Sequence, residues 1–173
     1  MRIFLTGYMG SGKTTLGKRL ARKLEYEFYD LDDYFEQKYK TSIALFFERF
    51  GEAQFRSLEH EVLLELINKF DRMVLASGGG TPCFHNNMNL MNQHGPTVYL
   101  KLSAPVLASR LSNSPFRYKR PMLKGLNKEE MLLKITDQLM ERERYYDQAQ
   151  LIIEAFDLSI DCIIDQIVTK TNQ

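Results

Sequence analysis

Residues 7–15 read Gly-Tyr-Met-Gly-Ser-Gly-Lys-Thr-Thr. Gly7, Gly12, Lys13 and Thr14 satisfy G-x-x-x-x-G-K-[ST], a pattern that confirms a phosphate-binding loop only between a strand and a helix. Both neighbours fit. Ile3-Phe4-Leu5 precedes it as a short apolar run, and Leu16, Leu20 and Leu24 follow at helical spacing among Lys18, Arg19, Arg22 and Lys23. Glycines let successive backbone N–H groups turn toward one anion, and a helix N-terminus adds its positive end. Gly10, Ser11, Gly12, Lys13, Thr14 and Thr15 are therefore the candidate ATP-binding residues. In such a loop the lysine reaches the β- and γ-phosphates and the threonine hydroxyl ligates Mg²⁺.

Outward from this loop, apolar strand candidates alternate with amphipathic helix candidates. The strands read 2–6, 27–30, 73–77, 97–102 and 150–154. Helices read 13–24, about 32–39, 51–69, about 84–94, 104–112, 127–146 and 159–170. Such alternation predicts right-handed crossovers and a parallel sheet covered on both faces, α/β/α in three layers. Ligands then gather beyond the carboxyl ends of the strands. Polar residues do cluster there: Gly7 to Thr14, Asp30 to Asp33, and Ser77 to Thr81.

At 173 residues with 44% hydrophobic content, the chain is expected to form one domain, 1–173, with a full core. A net charge of +1 argues against sequence-independent nucleic-acid binding. No stretch approaches about 20 apolar residues, and no leading apolar run reads as a secretory segment, so no membrane partner is expected. Cys83 and Cys162 form no C-x-x-C and read as free thiols of a cytoplasmic protein. His60, His85 and His94 show no metal-ligand spacing.

Four further features carry chemistry. Asp30 closes the second strand, and Asp32 and Asp33 open the next helix, where acids also serve as caps. Two acids beside Mg-ATP suit holding the metal's water shell and accepting a proton from an attacking hydroxyl. Gly78-Gly79-Gly80 is costly in backbone entropy, which fits either a flexible turn or a close approach to a ligand. Met131, Ile135 and Leu139 trace one face of helix 127–146, and Arg142 and Tyr146 continue it. A guanidinium on that stripe either snorkels from the helix end or clamps an anion. Arg56, by pattern alone, is a surface arginine. Segment 113–125, basic with two prolines and no apolar period, reads as a solvated loop or a lid over the phosphates. Asn68-Lys69-Phe70-Asp71 mimics a guanine-reading motif, but it sits at a helix end before a strand, so it is a chance match.

Taken together these residues resemble the shikimate kinase family over nearly the whole chain. The phosphate loop, Phe28-Tyr29-Asp30-Leu31-Asp32, the run from Ser42 through Gly51-Glu52 and Phe55-Arg56 to Glu59, Ser77-Gly-Gly-Gly80, Arg120-Pro-Met-Leu and Arg142-x-x-x-Tyr146 are each similar to family motifs. The resemblance implies a P-loop kinase fold with strand order 2-3-1-4-5, a substrate-binding helical region about 32–62 and a mobile lid about 112–125. It implies transfer of the ATP γ-phosphate to the 3-hydroxyl of shikimate, in aromatic amino-acid biosynthesis, by a monomer. Shikimate would be held by Asp32, Arg56, Gly78, Gly79, Gly80 and Arg142, with Asp32 as candidate base and Arg56 and Arg142 on the carboxylate. Lys13 and Arg120 would neutralise the transferring phosphoryl group. Thr14 would ligate Mg²⁺ with Asp30 behind it. Arg117 joins Arg120 as a lid contact to ATP, and Arg110 is the candidate for stacking on the base. Residues 155–160, Ala-Phe-Asp-Leu-Ser-Ile, lack the Asn/Arg-Pro stretch the family often has beside the adenine. The competing expectations are another small-metabolite kinase, such as a gluconate kinase, which needs no paired-arginine clamp, and a nucleotide-dependent regulator with no phosphoryl acceptor.

Overall fold

Five strands and their crossovers order the chain in a computed structural model that describes residues 1–114 and 125–171. In sequence they are β1 (Arg2–Thr6), α1 (Lys13–Leu24), β2 (Glu27–Asp30), α2 (Leu31–Tyr39), α3 (Ile43–Lys69), β3 (Met73–Ala76), α4 (Asn87–His94), β4 (Thr97–Lys101), α5 (Ala104–Ser112), α6 (Lys128–Tyr146), β5 (Leu151–Glu154) and α7 (Ile160–Thr171). A short 3-10 turn, Thr81–Cys83, follows β3. All pairings are parallel and the order is β2-β3-β1-β4-β5, as expected.

Successive side chains on a strand point to opposite faces, and at the central strands β1, β3 and β4 both faces are buried. Ile3 and Leu5 of β1 and Val74 of β3 pack with α1, α5, α6 and α7. Phe4, Met73 and Leu75 pack with α2, α3 and α4. A sheet enclosed in this way needs near-continuous apolar strands, which is why β1 and β3 carry no charge between their ends. The register sets Leu5 and Asp30 each opposite Ala76. Three chain segments therefore leave the sheet at one level: the phosphate loop, the start of α2, and Ser77, whose N–H donates to Leu5 O at 3.0 Å.

Two helix boundaries differ from the sequence reading by more than one residue. α3 begins at Ile43, capped by Ser42, eight residues before the expected start. Gly51 breaks it with φ 77 and ψ 172, a conformation an L side chain resists. Aromatic residues crowd the segment before the break, so its helical period is masked. α4 starts at Asn87 rather than near residue 84, because His85 and Asn86 both take left-handed φ. The expected lid lies almost wholly outside the described residues, Phe116, Arg117, Lys119 and Arg120 included. Its flanks are the end of α5 and the start of α6, where Asn127 and Glu130 form a reciprocal capping box. Among the described residues no helix is long and apolar enough to cross a membrane.

Candidate active site

Gly12 caps α1 in a left-handed conformation, φ 100, with no side-chain cap and no acid in the first turn. The positive end of this helix is thus left for an anion. By contrast, α2 starts with Asp30 as its cap and Asp32 and Asp33 in its first turn. The loop is closed by Lys13, whose Nζ donates to Gly7 O at 2.7 Å and Tyr8 O at 3.0 Å. Ser11 Oγ is buried and unpartnered among the described residues. Thr15 lies exposed on the first turn of α1. Arg110, on α5, sits at the loop's rim, with Nη1 3.5 Å from Ser11 O. Gly10, Ser11, Gly12, Lys13, Thr14, Thr15 and Arg110 are all brought to one place.

The acids divide their tasks. Asp30 accepts from the Asp32 N–H at 3.2 Å and so caps α2, while its other oxygen accepts from the Thr14 hydroxyl at 2.7 Å. Asp32 is thereby freed from capping. Burial pushes its carboxyl from the usual 3.8 to about 7, the charges of Glu59 and Asp30 push the same way, and Lys13 and Arg56 oppose them.

The triple glycine is a close approach, not a slack turn. A Cβ on Gly78 would lie 2.8 Å from Asp32 Oδ1, one on Gly79 would lie 3.6 Å from Arg142 Nη1, and one on Gly80 would lie 2.8 Å from Arg56 Cζ. Each missing side chain makes room for one candidate residue. The same Gly79 position is 3.4 Å from Met9 N and 3.7 Å from Gly7 O, so this hub abuts the phosphate loop. The Tyr146 hydroxyl donates to Gly79 O and fixes the hub to α6.

Arg56 corrects the surface reading: only 8% of it is exposed. Its Nη1 donates to Glu59 Oε2 at 2.8 Å, while Nε and Nη2 share Glu52 Oε1 at 3.2 Å. Glu59 is itself buried and accepts from the Thr81 hydroxyl at 2.7 Å. The rings of Phe84, Phe55 and Phe47 lie 4.4, 5.0 and 5.9 Å from the guanidinium carbon. Periodicity held the signal: Arg56, Glu59, Leu63 and Leu66 form one buried stripe of α3, and an acid three residues after an arginine on such a stripe marks a buried pair. Glu59, quoted above only as a motif letter, is the residue that orients Arg56.

Arg142 is half-buried, with its guanidinium carbon 5.5 Å from the Tyr8 ring centroid. Among the described residues no carboxylate pairs with it. Tyr8 in turn donates from its hydroxyl to Gln138 Oε1 at 2.6 Å, tying the phosphate loop to α6. Burial pushes the Cys83 thiol up to about 11, so it stays protonated at neutral pH and offers no nucleophile.

This arrangement can hold a nucleotide on one wall and an acidic, hydroxyl-bearing molecule on the other. Comparison with known proteins gives the family. Residues 9–172 match the family model described as shikimate kinase. The chain is 42% identical over 169 residues to a shikimate kinase of Azobacteroides pseudotrichonymphae, covering 98% of each. A solved shikimate kinase from Bacteroides thetaiotaomicron superposes with a TM-score of 0.93 at 40% identity, over 100% of this chain and 99% of that one. Another, from Acinetobacter baumannii in complex with shikimate, gives 0.85 at 34% identity over 98% and 91%.

Proposed function

The chain belongs to the shikimate kinase family, and we propose that the cleft around Gly78–Gly80 is where it moves the γ-phosphate of ATP onto the 3-hydroxyl of shikimate, giving shikimate 3-phosphate and ADP. The observation that carries this placement is the hub itself: Asp32, Arg142 and Arg56 meet three consecutive glycines that lie against the phosphate loop. Residues 1–173 act as a single kinase domain, with the helical region about 32–62 serving the acceptor.

Arg56 and Arg142 take the carboxylate of shikimate, and Asp32 takes its ring hydroxyls. With its carboxyl near 7, Asp32 can accept the proton at working pH, the condition a general base needs. The acceptor oxygen bonds to the γ-phosphorus, the bond to the β,γ-bridging oxygen breaks, and the hydroxyl proton passes to Asp32. Lys13 neutralises charge on the transferring group, and the α1 N-terminus and loop amides hold the remaining phosphates. Arg117 and Arg120 join them by motif alone.

A magnesium ion fits the donor set: Thr14 and Asp30 present hard oxygens 2.7 Å apart at the loop. Thr14 would ligate it directly and Asp30 would hold its water shell. Held there, such an ion would offset negative charge on the phosphates during transfer. Loop and clamp come from one chain, which supports a monomer as the working unit. Two free cysteines suit a reducing cytoplasm.

Coupled ADP release with Mg-ATP, adding shikimate, quinate or gluconate separately, tests this reading. Turnover with shikimate alone, abolished by EDTA, is expected. Turnover with gluconate but not shikimate would refute the acceptor assignment and the paired-arginine clamp. Release of ADP indifferent to every acceptor would favour a regulator instead.

A further inference from the structure

Phe84 is placed oddly for a large apolar residue. The residue is 37% exposed, yet its ring makes the closest of the three aromatic contacts to Arg56. The other two rings, Phe47 and Phe55, belong to the same helix as Arg56; Phe84 comes from the turn after the triple glycine. The backbone just beyond it is strained on purpose of position: His85 and Asn86 are consecutive non-glycine residues at φ 48 and φ 56. Such strain persists only where the surroundings over-determine it.

Here the surroundings do. The Asn87 N–H donates to Phe84 O at 2.9 Å. The Asn87 side chain is fully buried, donates to Thr81 O at 3.0 Å, and sits 2.6 Å from His60 Nδ1 through its Oδ1. His60 also stacks on His85 with ring centroids 5.4 Å apart. His60 follows Glu59 directly, so the turn carrying Phe84 is pinned to the helix that carries Arg56 and its partner Glu59.

We propose that Phe84 is a positioning residue for the acceptor's carboxylate, holding the Arg56 guanidinium so that its Nε–Nη2 edge is presented to the incoming anion. Glu59 fixes one end of the fork and Phe84 shields it from water and limits its rotation. Among the described residues the remaining edge donates to Glu52, whose side chain is 56% exposed and whose single oxygen is shared at 3.2 Å. A planar guanidinium with its orientation fixed loses less freedom on binding a carboxylate, and attraction to the ring strengthens as water leaves. The inference rests on Arg56 being part of the carboxylate clamp.

Steady-state kinetics of Phe84→Leu, Phe84→Tyr, Arg56→Lys and the Phe84→Leu/Arg56→Lys pair test it, with melting temperatures taken alongside. Phe84→Leu keeps apolar bulk and removes the π face. It is expected to raise KM for shikimate about 5- to 20-fold, a loss in the range of a desolvated cation–π contact, with kcat and KM for ATP within about twofold. Phe84→Tyr keeps the ring and is expected to stay near the parent. In the Arg56→Lys background, Phe84→Leu should add less than about twofold, since both act through one group. An unchanged KM for shikimate in Phe84→Leu, a parallel rise in KM for ATP, or full multiplication of the two effects in the pair would overturn the proposal. Should Arg56→Lys itself leave KM for shikimate unchanged, the clamp reading fails and the role of Phe84 falls with it. A Phe84→Tyr variant as impaired as Phe84→Leu would also overturn it, since the ring would then not be what matters.

Discussion

Replacing Asp32 by Asn should stabilise the protein and stop it working. A carboxyl raised from 3.8 to about 7 takes up a proton on folding between those values. Its contribution to stability is complete below about pH 4 and is lost as pH rises through 7. One pKa unit is worth about 1.4 kcal/mol, so the ionised carboxylate strains the fold by about 4 kcal/mol at pH 8. At pH 5 it costs under about 2 kcal/mol. Asp32 is crowded by protein in depth yet half-buried by surface area, so water entering the cleft makes these upper limits. Asn has nearly the same shape and no charge to strain. For a chain of this length about 1 kcal/mol corresponds to roughly 2–4 °C. The melting-temperature advantage of Asp32→Asn over the parent should therefore grow by up to about 5–10 °C between pH 5 and pH 8. Turnover should fall roughly 10²- to 10⁴-fold, the usual worth of a positioned base, with ATP affinity little changed. Thermal melts across pH, beside coupled kinetics, decide it. An advantage that stays flat with pH would refute the claim that burial and the Glu59 and Asp30 charges strain this carboxylate. Equal losses in turnover and ATP affinity would make Asp32 a structural residue.

Arg142→Ala should fold normally, because no carboxylate among the described residues loses a partner, and should raise KM for shikimate about 10- to 100-fold, as loss of a charged hydrogen bond does; unchanged turnover at low shikimate would remove it from the site. In Gly80→Ala the new methyl would stand 2.8 Å from Arg56 Cζ, an overpacking of about 1–3 kcal/mol, so shikimate affinity should drop at least about tenfold while ATP binding, measured by titration, holds. Glu52→Gln should instead lower KM for shikimate by up to about fivefold, since an exposed pair worth under about 1 kcal/mol no longer competes for the Arg56 edge; a higher KM would show that Glu52 helps rather than competes.

The phosphate loop and its flanking strand and helix were legible because they are local: their residues lie within some twenty positions of one another. The middle of the sheet was legible because β1, β3 and β4 are buried on both faces and so show as short apolar runs. The first part of α3 was not. Phe46, Phe47 and Phe50 lie close together there, and an aromatic cluster around Gly51 masks a helical period. By pattern alone Arg56 reads as a surface arginine, although Arg56, Glu59, Leu63 and Leu66 form one buried stripe of α3. Charged residues on a core stripe are a signal only once their partner is known, and here the pairing is closed by Thr81 from a segment 22 residues on. The sequence places Phe84 at the start of a helix, whereas the helix begins at Asn87. Nothing in its own neighbourhood reveals that His85 and Asn86 turn left-handed, because what holds them there is His60 on a different element.

The phosphate loop secures its own shape. Lys13 is anchored to the carbonyls of Gly7 and Tyr8, the Ser11 N–H reaches Tyr8 O at 3.2 Å, and the Leu16 N–H reaches Gly12 O at 2.9 Å. A cradle held by its own covalent neighbours does not wait for a nucleotide to order it, so little conformational entropy stands between encounter and capture. Arrival rates should then be much the same for ATP and ADP, and preference between them should be written in departure rates. The residence time of ADP, rather than its ease of entry, becomes the quantity through which this loop governs how soon the next cycle can begin.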